Sequence, residues 1–166
     1  MQRTKTVELN DTQMRRWMGI LLERAKRVGE EGEVPVTAVV LNEKGYCIGH
    51  GRNARNSDCN PMGHAELIAL RQAAWLKDDW RFNECTLIVT LEPCQMCAGA
   101  LIQARMGKVV FGAVDSKRGG LGGAIDLSTH KSAHHKMLIE SGIMKEQVTT
   151  EITRWFKERR KIKTKI

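Results

Sequence analysis

Apolar residues recur at helical spacing at Met14, Trp17, Met18, Leu21, Ala25 and Val28, behind an Asn10/Gln13 pair spaced like a capping box. The pattern predicts a first helix with Gly29 as its stop. Residues 34–41 are rich in β-branched side chains, 42–45 carry the turn chemistry Asn-Glu-Lys-Gly, and 46–49 can pair back, which reads as a hairpin. The polar stretch 52–59 reads as a loop. Asn60 and Pro61 offer an N-cap and a first-turn proline, predicting a helix over 61–77 with His64 near its start. The apolar run 85–91 reads as a buried strand, ended by Pro93, which opens a helix over 94–105. A strand over 108–113, a Gly-rich loop over 117–123 and a last strand over 137–140 follow. A final helix over about 145–166 carries Val148, Ile152, Trp155 and Phe156 on one face. Trp75, Trp155 and Phe156 share helical spacing with other apolar residues, so they are expected in the core. Strands alternating with helices imply an α/β sandwich whose sheet is covered on both faces.

The chain has 166 residues, three prolines, no Gly/Ser-rich tract and no repeat, which predicts one domain over 1–166. With 42% apolar and 28% charged residues it falls in the globular range, and no apolar run approaches the roughly 18 residues a bilayer demands. The first dozen residues lack the apolar centre of a secretory signal, so a cytoplasmic location is expected, with no membrane association. Lys and Arg number 27 against 19 acids, a net +8 that favours an anionic partner. Much of that charge lies in the final helix, where residues 154–166 hold seven bases and one acid. Five cysteines without an export signal point away from a disulfide framework, towards metal ligation or burial.

Chemistry concentrates in two short segments, His64-Ala65-Glu66 and Pro93-Cys94-Gln95-Met96-Cys97. Together they form the H-x-E plus P-C-x-x-C signature of zinc deaminases that act on nucleobases. Cysteines three apart at a helix start point the same way, and the exposed backbone N–H groups there favour thiolate. His64, on a neighbouring first turn, is expected in its neutral, metal-binding form beside the positive helix end. Three protein ligands leave the fourth position of a tetrahedral ion to water, whose pKa zinc lowers to ~7. Glu66, not itself a ligand, is the carboxylate that takes the water proton and returns it to the ring nitrogen and the departing amine. A closed structural site would need a fourth ligand from His50, Cys59 or Cys85. Cys47, Cys59 and Cys85 otherwise read as packed or surface thiols.

From about residue 14 onward the chain resembles the bacterial tRNA-specific adenosine deaminases of the cytidine deaminase-like superfamily. The residues that carry this are Asn60-Pro61-Met62-Gly63-His64-Ala65-Glu66, then Thr90-Leu91-Glu92-Pro93-Cys94-Gln95-Met96-Cys97-Ala98-Gly99-Ala100, then Val110-Phe111-Gly112-Ala113-Val114-Asp115-Ser116-Lys117. The resemblance implies a three-layer α/β/α sandwich around a mixed sheet of about five strands. It also implies one zinc per subunit, a homodimer, and hydrolysis of the wobble adenosine of a tRNA anticodon stem-loop to inosine. By the same resemblance Asn53 hydrogen-bonds the flipped nucleoside, Asp115 and Lys117 lie near the flanking nucleotides, and Arg159 and Arg160 meet the RNA backbone. Gly63, Cys59, residues 128–130 and His134-His135 depart from the family pattern. Other readings are a deaminase of free guanine or cytidine, a non-catalytic RNA-binding module stabilised by zinc, and a redox C-x-x-C protein.

Overall fold

The computed structural model describes residues 8–163, with side chains as far as 161; the end of the predicted final helix, 164–166, lies outside them. Helix α1 (Asp11–Glu30) begins on the predicted capping box: the Asn10 side chain accepts from the Gln13 N–H at 2.9 Å and the Gln13 side chain from the Asn10 N–H at 3.0 Å. It does not stop at Gly29. The chain turns at Gly32 with φ +94°, and Gly29 is small for another reason: a Cβ there would lie 2.9 Å from the Trp155 ring, whose Nε1 donates to the Gly29 carbonyl at 3.0 Å.

Strands β1 (Thr37–Leu41), β2 (Cys47–Arg52), β3 (Thr86–Leu91), β4 (Lys108–Ala113) and β5 (Leu138–Ser141) form one sheet in the order β2-β1-β3-β4-β5. The β2-β1-β3 part is antiparallel and β3-β4-β5 parallel, so the sheet is mixed as expected. Period-two alternation sorts the central strands between two cores. Ala38, Val40, Leu87, Val89, Val109 and Phe111 face helices α2 (Ala65–Lys77) and α3 (Gln95–Gln103). Val39, Leu41, Ile88 and Val110 face α1 and α4 (Lys145–Lys163), completing an α/β/α sandwich. No helix among the described residues is long and apolar enough to cross a membrane.

Helix α2 starts at Ala65, not at Pro61. Residues 60–63 instead form a turn locked to the preceding loop, where the Gly63 N–H donates to the Asn60 carbonyl at 2.9 Å and the Ala54 N–H to the Gly63 carbonyl at 2.8 Å. The buried face of α2 is the small stripe Ala65, Ala69 and Ala73, seated on Gly49 and Gly51 of β2. Trp75 is therefore not in the core but 80% exposed, and Phe156 is 44% exposed; only Trp155 of the three is partly buried. A Cβ at Gly51 would collide with the Ala65 carbonyl. Gly51→Ala is expected to cost about 2–3 kcal/mol by overpacking, read as a lower urea midpoint at unchanged slope, with activity falling because His64 and Glu66 open that helix.

Candidate metal centre

Strand β3 ends at the Glu92-Pro93 step, and α3 opens with Cys94 as its N-cap residue and Cys97 in its first turn. His64 is the N-cap residue of α2; its extended backbone, φ −87° and ψ 143°, leaves the side chain without a capping hydrogen bond. The ring turns instead towards α3, placing Nδ1 3.6 Å from Cys94 Sγ and 3.5 Å from Cys97 Sγ. A tetrahedral zinc with its usual bond lengths, about 2.1 Å to nitrogen and 2.3 Å to sulfur, separates such donors by roughly 3.6 Å. The donor set fits zinc, with Nδ1 as the nitrogen that faces it. Among the described residues only His64, Cys94 and Cys97 group in this way. His50 is engaged with Arg24 at 3.0 Å, Cys59 lies exposed, and Cys85 is buried at the start of β3.

The cluster holds protons that a metal must displace. Cys94 is held down to about 4, first by the hydrogen bond from the Cys97 thiol and also by those from His64 and the Cys97 backbone N–H. Cys97 is pushed up by donating to Cys94, by burial and by Glu66. His64 is raised, against the expectation of a neutral ring, because its bond to Cys94 outweighs burial. Burial pushes Glu66, in the first turn of α2, up to about 7 with the Cys97 thiol beside it.

His64, Glu66 and Cys94 open into a cleft lined also by Val34, Val36, Asn53, Arg55, Glu92, Asp115 and Arg118. Two buried carboxylates, not singled out from the sequence, shape its walls. Glu33 accepts from Asn53 Nδ2 at 3.1 Å and from the Asn56 and Ser57 N–H groups at 2.6 and 2.8 Å, so it orients Asn53 and the loop after β2. Glu92 accepts from the N–H groups of Asp115, Leu121 and Gly123, each at 2.9 Å, gripping the Gly-rich loop after β4. Only the Glu92-Pro93 adjacency to the ligand pair could have signalled the second.

The remaining predicted residues divide. Asp115 lines the cleft and accepts from the N–H groups of Lys117 and Arg118 at 2.9 and 3.1 Å. Lys117 is exposed next to the cleft, outside its lining. Arg159 turns to α1, stacking 5.1 Å from the Trp155 ring centroid and donating to the Gly32 carbonyl, and Arg160 lies one residue on, with interactions of its own. Of the cysteines outside the cluster, Cys47 and Cys59 are exposed, and burial pushes the Cys85 thiol up to about 12. Zinc-loaded protein is expected to take two equivalents of iodoacetamide quickly at neutral pH, at Cys47 and Cys59, with Cys85 labelled only after unfolding; peptide mass spectrometry checks this.

Comparison with known proteins agrees with this geometry. Residues 11–113 match the family described as the cytidine and deoxycytidylate deaminase zinc-binding region. The chain is 37% identical over 152 residues to the tRNA-specific adenosine deaminase of Bacillus subtilis, covering 92% of this chain and 94% of that one. It is 50% identical over 110 residues to the tRNA(Ile)-lysidine synthase of Deinococcus radiodurans, a match spanning 66% of this chain but 19% of that longer protein. A solved structure from work on A-to-I editing by tRNA:A34 deaminases at the wobble position superposes with a TM-score of 0.78 at 30% identity, covering 82% of this chain and 98% of the other.

Proposed function

We propose that this chain, which belongs to the cytidine and deoxycytidylate deaminase family, hydrolyses adenosine to inosine at the wobble position of a tRNA anticodon. One observation carries the reading: an imidazole nitrogen 3.5–3.6 Å from each of two sulfurs, without a fourth protein ligand among the described residues, beside a buried carboxylate that lines the same cleft. His64, Cys94 and Cys97 would hold the ion. Zinc there supplies water activated near neutral pH, with pKa ~7.

Glu66 then does the proton work. Buried in the first turn of α2 beside the ligand pair, it is placed to take a proton from water and release it again. The water oxygen bonds to C6 of adenine, Glu66 passes its proton to the ring nitrogen and the second to the amine, and the C6–N bond breaks to release ammonia. Asn53, its amide nitrogen fixed by Glu33, offers its carboxamide to the nucleoside. An anticodon loop presents unstacked bases, so entry of the target costs less there than in a duplex. Asp115 and Lys117 are assigned to the flanking nucleotides and Arg159 and Arg160 to the RNA backbone, on the strength of the resemblance.

The same reading takes 1–166 as one domain, a cytoplasmic location and a homodimer. The groove between α2 and α3, walled by Leu67, Leu70, Trp80 and Phe82, with Trp75 and Met62 exposed nearby, supports a partner surface of that kind. Sequencing a cellular RNA pool treated with the protein is expected to reveal adenosine-to-inosine change at an anticodon wobble position. Ammonia released from free guanine or cytidine, with the RNA untouched, would overturn the assignment.

A further inference from the structure

We infer that Arg55 and Arg118 are phosphate contacts on opposite walls of the cleft, gripping the phosphodiesters on either side of the target nucleoside. They would make the enzyme selective for a nucleoside within a strand. The inference rests on the deaminase reading and adds to it the two residues that discriminate polymer from monomer.

Both arginines line the cleft together with His64, Glu66 and Asn53, and both side chains are exposed at its mouth. Neither guanidinium has a hydrogen-bond acceptor or carboxylate partner among the described residues. Arg15, Arg52, Arg81 and Arg154 are each paired with a carboxylate and Arg159 is bonded to a carbonyl; of the described arginines without such a partner, Arg55 and Arg118 are the two that line this cleft. Five donors in a planar fork, held without an internal acceptor, match a phosphate.

The backbones that carry them are fixed. Glu33 clamps Asn53, Asn56 and Ser57 around Arg55, while the Asp115 side chain accepts from the Arg118 N–H and Glu92 holds the loop on both sides. Arg55 follows β2 and Arg118 follows β4, and the order β2-β1-β3-β4 puts three strand spacings, about 14 Å, between the two walls. Two long side chains reaching inward from that separation bracket the cleft, with the metal cluster between them. A neutral free base carries nothing for either to hold.

Arg55→Ala, Arg118→Ala and the double variant, each checked for zinc content and circular dichroism, would be assayed on an anticodon stem-loop RNA and on free adenosine across a salt series. Each single variant is expected to raise KM for the stem-loop roughly tenfold with kcat within about twofold, and the double roughly a hundredfold. The slope of log kcat/KM against log salt should flatten by about one per arginine removed, while turnover of adenosine stays unchanged. Unmoved KM and salt slope in variants of an active wild type would overturn this inference alone, as would equal losses on both substrates, which mark a structural role. A wild type inert on the stem-loop would overturn the tRNA reading, and this inference with it.

Discussion

Glu66→Gln is expected to lose inosine formation by a factor of about 10² to 10⁴ while keeping one zinc per chain and its affinity for the stem-loop. The amide preserves the size of a side chain that is 4% exposed but neither accepts a proton from water nor delivers one. Burial pushes the Glu66 carboxyl up to about 7 in the metal-free cluster, and the charge of a bound ion would draw it down again. Zinc content by mass spectrometry, RNA binding by fluorescence anisotropy and single-turnover rates separate the losses. A non-catalytic RNA-binding module would show no turnover to lose. A redox C-x-x-C protein would carry no stoichiometric zinc.

Stripping zinc with a chelator, or replacing Cys97 by Ser, is expected to abolish activity and lower thermal stability together. Metal bound at a hundredfold excess over its Kd stabilises the folded chain by about 2.7 kcal/mol, which for a protein of this size is roughly 5–10 °C in Tm. Restoring zinc to the wild type should recover both. Binding must expel the protons that Cys97 and His64, both raised, hold in the metal-free cluster. Zinc affinity should therefore climb as pH rises through the neutral range and fall as it drops. A titration against a competing chelator at several pH values measures that slope. Activity and Tm unchanged after exhaustive removal of the metal would contradict the assignment.

The metal centre was more legible in the sequence than the surface around it, for a physical reason. Ligand spacing is local: a C-x-x-C pair at a helix start and a histidine on a neighbouring first turn bring their own geometry, and β4 and the α1 cap were likewise written in short stretches. What failed depended on distant contacts. Pro61 looked like a helix start, but the hydrogen bonds of Gly63 with Asn60 and Ala54 hold that segment in a turn. Trp75 looked like core because it is large and apolar, yet α2 presses so close to Gly49 and Gly51 that only its alanines fit underneath. Periodicity identifies an apolar face without saying whether the sheet opposite leaves room for an indole. Glu33 and Glu92 escaped notice because their partners, mostly backbone amides, lie twenty or more residues away, which no local side-chain pattern announces.

Glu92 grips its loop through amides that every residue but proline possesses, and it sits next to the proline that launches the two sulfur donors. The exposed side chains at 116–118 can therefore be exchanged without disturbing either the path of the loop or the hydrolytic centre. A scaffold arranged this way can acquire new substrate preferences by drift at its rim, while the reaction it performs is inherited intact.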